Sequence, residues 1–178
     1  MIDNEIKNAK RGKKAVIVAK MNSLSDEEMI NALYDAARAG VELKLIVRGI
    51  FGMLSQNEKF VYPVTAISIV DEFLEHARVW YFYQGGKERM YISSADWMTR
   101  NLDHRVEASC PILDPALRSE LMDILNIQLS DNVKARWLDN NLSNTYVRNG
   151  SQKNVRSQEE TYHYLFNKTE APIEVSSH

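Results

Sequence analysis

The chain has a single cysteine, Cys110, among its 178 residues. An intrachain disulfide is therefore excluded, as is a zinc site built on cysteines, and the usage points to a reducing, cytosolic setting. No apolar run approaches the roughly 18 residues of a membrane span, and no signal-peptide core opens the sequence. Positive charge is not in surplus either: 22 Lys+Arg face 24 Asp+Glu for a formal net charge of −2. That balance argues against a strongly steered nucleic-acid binder, where a large basic excess is expected. P-loop, Gly-x-Gly-x-x-Gly, His-x-x-x-His and Gly-x-Ser-x-Gly motifs are all missing. A nucleotide bound by this chain must be held without the common phosphate cradle.

What is present fits one soluble domain. The length can bury roughly 70% of the extended surface without a disulfide or metal staple. Asn4 to Lys14 carries Lys7, Lys10, Arg11, Lys13 and Lys14 against Glu5, and reads as the polar end of a helix stopped by Gly12. Ala15 to Ala19 is a β-branched run expected to be a buried strand. Ser25-Asp-Glu-Glu28 has the capping-box pattern, and Met29, Ile30, Leu33, Tyr34 and Ala37 follow the helical period up to Gly40. Val41 to Val47 is the next strand, giving a strand–helix–strand unit whose default pairing is parallel.

Phe51 to Pro63 has no period and reads as loop. Thr65 to Val70, Arg78 to Tyr83, Glu88 to Ser93 and Val106 to Ile112 read as strands, with Gly85-Gly86 as a hairpin signal. Pro115 opens a long helix with Leu117, Leu121, Ile124, Leu125, Ile127, Leu129 and Val133 on its apolar side. Leu142 to Val155 is irregular, with only Tyr146-Val147 strand-like, and Ser157 starts a last helix ending near Asn167. The expected fold is α/β, a mixed β-sheet flanked by helices, over residues 1–170, with 171–178 a disordered tail.

Three places could carry chemistry. Arg48 lies just past the carboxyl end of a strand, where open α/β sheets place ligands. It reads either as a bidentate phosphate grip or as a solvated loop arginine. In an extended stretch His76 and Arg78 share a face. An imidazole beside a guanidinium suits phosphoryl chemistry, the arginine holding oxygens while the histidine moves a proton; the plainer reading is an exposed histidine at a strand start. Ser93 to Glu107 collects Arg100, Asn101 and Arg105 in one loop, which offers donors to an anion. The same loop could equally be a salt-bridge cluster with Asp96, Asp103 and Glu107.

Ala19-Lys-Met-Asn-Ser-Leu24, Leu45-Ile-Val-Arg-Gly49, Ile67-Ser-Ile-Val70, Phe73-Leu-Glu-His76 and Tyr91-Ile-Ser-Ser-Ala-Asp-Trp-Met-Thr-Arg-Asn101 occur in that order. Asp131-Asn-Val-Lys-Ala-Arg136 and Leu142-Ser-Asn-Thr-Tyr-Val147 follow. Together these blocks resemble the C-terminal part of bacterial polyphosphate kinase over nearly the whole chain. The resemblance implies one half of the phospholipase D-like fold, with His76, Arg78, Ser94 and Asp96 in the places of its His-x-Lys and Gly-Ser-x-Asn elements. It implies reversible transfer of the ATP terminal phosphate to polyphosphate through a phosphohistidine. By match, His76 is a second active-site histidine that assists proton movement, and Arg48 and Arg105 contact nucleotide phosphates.

The phosphorylated histidine and the Mg2+ contacts are expected in a preceding domain that this chain lacks, so the fragment alone is expected to be inactive. The implied partners are ATP/ADP, inorganic polyphosphate, upstream domains of the same enzyme and further copies in a homo-oligomer. Nucleic acid is not among them. The implied location is the cytoplasm, with membrane association of the full-length enzyme left open. Two positions depart from the family pattern: Glu72 replaces an arginine, and Ile50 to Gln56 replaces a cysteine- and proline-containing run. Two other readings stand beside the kinase: a non-enzymatic polyphosphate- or nucleotide-binding module, and a phospholipase D-like phosphodiesterase working as a dimer of half-sites.

Overall fold

The computed structural model describes residues 1–148, 150 and 153–170; the expected tail at 171–178 lies outside them. Helix α1 (Ile2–Lys10) leads through Gly12, whose φ of 67° suits a residue without Cβ, into strand β1 (Val16–Met21). Helix α2 (Glu27–Ala39) returns the chain to β2 (Glu42–Val47), which pairs parallel with β1. The cap of α2 is Asp26, not Ser25: its Oδ1 accepts from the Met29 N–H at 3.0 Å. Two neighbouring residues could each cap, and the carboxylate, which also complements the helix dipole, takes the place.

Strand β3 (Thr65–Ser68) adds parallel to β2, while β4 (Val79–Phe82), β5 (Arg89–Ser93) and β6 (Ser109–Pro111) extend the other edge antiparallel. A two-residue strand β7 (Arg136–Trp137), absent from the sequence reading, pairs with β3 and completes the order β6-β5-β4-β1-β2-β3-β7. The sheet is mixed, as expected. The strand expected over Val106 to Ile112 shrinks to three residues, because Val106 is wholly exposed and Glu107 turns away to hydrogen-bond elsewhere. The short helix α3 (Thr99–Leu102) lies in the preceding loop.

Alternation along β1 divides the core between two faces. Ile17, Ala19 and Met21 join Leu43, Leu45 and Val47 against Leu33, Ala36 and Ala37 of α2. Val16 and Val18 face the other way with Ile46, Ile67 and Val79, covered by Leu125 of α4 (Pro115–Leu129). The α4 stripe is narrower than its period suggested: Leu117 is exposed, Val133 lies beyond the helix, and buried Gln128 takes a core-facing place. Helix α5 (Ser157–Glu170) closes the described chain beside α4. Continuing the β1 alternation puts Lys20 on the α4 face, where a buried ammonium must find a carboxylate.

Candidate active site

The carboxyl ends of β1 and β2 carry Asn22 and Arg48, and the close approach of these two ends brings them into contact. Gly49 donates its N–H to the Asn22 carbonyl at 2.6 Å, and a Cβ on Gly49 would stand 2.9 Å from that oxygen. Only glycine fits. Held this way, Arg48 donates from Nε and Nη2 to Asn22 Oδ1 at 3.2 and 3.0 Å. Its Nη1 makes no hydrogen bond among the described residues, so one end of the fork remains available to an anion.

Asn22 passes the contact on. Its backbone N–H and its Nδ2 donate to Asp96 Oδ1 at 2.7 and 3.2 Å, joined by the Ser23 N–H at 3.3 Å. Arg78 forks onto the same carboxylate, Nε to Oδ1 at 3.2 Å and Nη2 to Oδ2 at 3.1 Å. Burial pushes the Asp96 carboxyl up, but the Arg78 hydrogen bonds and the Asn22 and Ser23 N–H groups outweigh it and hold the group below the usual carboxylate range. Asp96 is therefore an anion fixed at the centre of the site.

Arg78 then reaches His76. Its Nη1 donates to the His76 carbonyl at 3.1 Å, and Nη1 and Nη2 lie 3.4 and 3.5 Å from the two ring nitrogens. The two side chains meet as their two-residue spacing predicts, although β4 begins only at Val79. One expectation changes. Every nitrogen of the Arg78 guanidinium is committed to Asp96 or His76, so Arg78 orients the histidine instead of holding substrate oxygens. The His76 ring itself is exposed.

The structure thus joins Arg48 and His76 through Asn22, Asp96 and Arg78. It does not bring Arg105 into this chain: Arg105 is exposed, without a hydrogen bond among the described residues, and acts on Glu107 only through its charge. Glu107 accepts from Ser94 Oγ and from Asn101 Nδ2, the latter at 2.6 Å, and these bonds hold its carboxyl below the ordinary range. Ser94 therefore serves the loop, not the histidine, and buried Asn101 is a structural donor. The expected salt-bridge cluster does not form: among the described residues Asp96 pairs with Arg78, Glu107 is held by Ser94 and Asn101, and Arg100 and Arg105 stay exposed.

Sequence reasoning assigned no role to Asn22, though a polar residue ending a β-branched strand marks the ligand side of an α/β sheet. It also missed Lys20, whose Nζ meets Glu75 Oε2 at 2.7 Å with side chains 8% and 17% exposed. A lysine closing an apolar strand was the available signal. Among the described residues no group of three or more His, Cys, Asp or Glu could hold a metal, and Asp96 is spent on Arg78. These residues do not fit a magnesium site.

The polyphosphate kinase C-terminal domain 2 family matches residues 1–158. Polyphosphate kinase of Vibrio parahaemolyticus is 48% identical over 167 residues, 94% of this chain and 24% of that protein. The enzyme of Escherichia coli K12 is 46% identical over 165 residues, again 24% of its length. The crystal structure of polyphosphate kinase from Porphyromonas gingivalis superposes with a TM-score of 0.90 at 49% identity, covering 94% of this chain and 26% of that one. NucT from Helicobacter pylori shares the fold alone, with a TM-score of 0.50 at 11% identity over 70% of this chain and 84% of its own. The expected half of the phospholipase D-like fold is the fold found. The chain spans about a quarter of the length of the curated relatives it matches, and it belongs to the polyphosphate kinase C-terminal domain 2 family.

Proposed function

We propose that this domain supplies one half of a phosphoryl-transfer site, moving the terminal phosphate of ATP to and from inorganic polyphosphate. The carrying observation is the unbroken chain Arg48–Asn22–Asp96–Arg78–His76 at the carboxyl ends of the parallel strands. Phosphoryl transfer depends on positioning and on charge neutralisation more than on covalent work by the protein. Arg48 offers the free Nη1 to a phosphate, Asp96 fixes Arg78, and Arg78 holds an exposed imidazole ready to exchange a proton. Arg105 supplies a second positive charge from the neighbouring loop. The phosphohistidine belongs to an upstream domain of the same enzyme in this reading. Magnesium accompanies the nucleotide without a ligand from this chain. No helix of the described residues is long and apolar enough to cross a membrane.

Titration calorimetry of this chain with polyphosphate tests the anion half of the proposal. Arg48→Ala is expected to weaken binding by roughly 10-fold or more, the worth of one charge-assisted hydrogen bond. Arg105→Ala is expected to weaken it less, because that side chain is not pre-ordered. Unchanged affinity in both variants excludes this patch. Incubated alone with ATP and magnesium, the chain is expected to yield no polymer, and robust synthesis would refute the division of labour.

A further inference from the structure

Residues 69–78 carry His76 yet belong to no helix or strand. Their path is set largely by side chains reaching in from the corner where α5 begins. Arg156 forks onto Asp71, Nε to Oδ2 and Nη2 to Oδ1, both at 2.8 Å, and the Asp71 side chain is only 2% exposed. Lys134 adds a second cation at 3.4 Å, and Arg156 also reaches Glu72 at 3.3 Å. The family departure at Glu72 is therefore answered by a cation already present. Gln158 grips the backbone of Phe73 from both sides, accepting its N–H at 3.0 Å and donating to its carbonyl at 2.9 Å. The same Nε2 donates to Glu75 Oε1 at 3.1 Å, while Glu75 Oε2 takes Lys20 at 2.7 Å and Gln128 at 2.6 Å.

The corner is itself fixed. Buried Asp131 accepts the Ser157 N–H at 2.8 Å and the N–H groups of Val133, Lys134 and Ala135 at 2.7–3.0 Å. Burial raises the Asp131 carboxyl, and the N–H groups of Ser157, Ala135 and Lys134 more than reverse the effect, so it stays ionised. Asp131 ties the start of α5 to the turn after α4, and Arg156 and Gln158 transmit that rigidity to the loop. His76 is then bracketed by Glu75 on one side and by Arg78, locked to Asp96, on the other.

We propose that the Arg156–Gln158 corner is the positioning element for His76, with Gln158 the residue that fixes the loop leading into it, at the Phe73 backbone and the Glu75 carboxylate. This rests on the reading of His76 as the proton-handling group. A histidine on an unladdered loop samples many positions, and a displacement of about 1 Å in such a group costs roughly 100-fold in rate. The clamp removes that freedom without touching substrate.

The test uses a complete polyphosphate kinase carrying this domain, with Gln158→Leu, His76→Ala and the double variant. Gln158→Leu is expected to lower kcat roughly 10- to 100-fold while leaving the KM for ATP unchanged. In the His76→Ala background the same substitution is expected to add nothing, because the group it positions is gone. Arg156→Lys, which keeps the charge and loses the fork, should shift kcat in the same direction by less. A loss confined to KM, or an equal loss in both backgrounds, overturns the proposal. The His76 ring resonances in the 178-residue chain give a second reading: sharp and single in the wild type, broadened or multiple in Gln158→Leu. Unchanged ring signals also overturn it. If His76→Ala leaves kcat intact, the functional reading fails, and the ring signals still decide whether the corner orders His76.

Discussion

Replacing Asp96 by alanine removes the anion on which the site converges. The side chains of Arg78 and Asp96 are 13% and 8% exposed, so the pair is largely withdrawn from water. Truncation leaves Nε and Nη2 of Arg78 and the N–H groups of Asn22 and Ser23 without their acceptor. Breaking a buried ion pair from one side costs about 3–5 kcal/mol, because the surviving charge stays desolvated. For a domain of this size that corresponds to a fall in Tm of roughly 6–20 °C. Residual solvent access to Arg78 favours the lower part of both ranges. Urea and thermal unfolding of the 178-residue chain measure it directly. The companion double variant Arg78→Met with Asp96→Leu is expected to be more stable than Asp96→Ala, since no charge is then stranded. A loss below about 1 kcal/mol in Asp96→Ala, the range of a solvated surface pair, would refute the argument.

Gly49→Ala pushes a Cβ to 2.9 Å from the Asn22 carbonyl and 3.1 Å from Ser23 Oγ. The two strand ends must part, at a cost of about 1–3 kcal/mol in urea unfolding, and calorimetry should show weaker polyphosphate binding because Arg48 moves with its neighbour. Acid should weaken the fold through Asp71, whose carboxyl the Arg156 hydrogen bonds hold at about 2 against an ordinary 3.8. The folded state binds fewer protons than the unfolded one in that interval. The contribution is therefore complete above 3.8 and disappears as pH falls toward about 2. Asp71→Asn should flatten this limb of the stability–pH curve; an unchanged slope would show that the pair is not intact in solution.

The parallel β1–α2–β2 unit, the hairpin at Gly85-Gly86 and the α4 start at Pro115 were legible because each is specified within a few residues, by period, glycine or proline. Strand β7 was not legible: two residues have no period, and Trp137 pairs with Ile67 only because the corner after α4 brings it there. Arg48 and His76 were readable from strand-end position and residue chemistry. Their connection was not, since Asn22 and Asp96 are 74 residues apart and meet only when β1 and the segment after β5 lie side by side. Gln158 was hardest to see. It lies 85 residues from Phe73 on a helix whose own pattern says nothing about the loop it grips.

Polymer synthesis by a complete polyphosphate kinase carrying His76→Gln in this domain tests the central claim most directly. Loss of a positioned proton-transfer group predicts a fall in kcat of roughly 10²- to 10⁴-fold, whereas a rate within about twofold of the wild type would contradict the assignment.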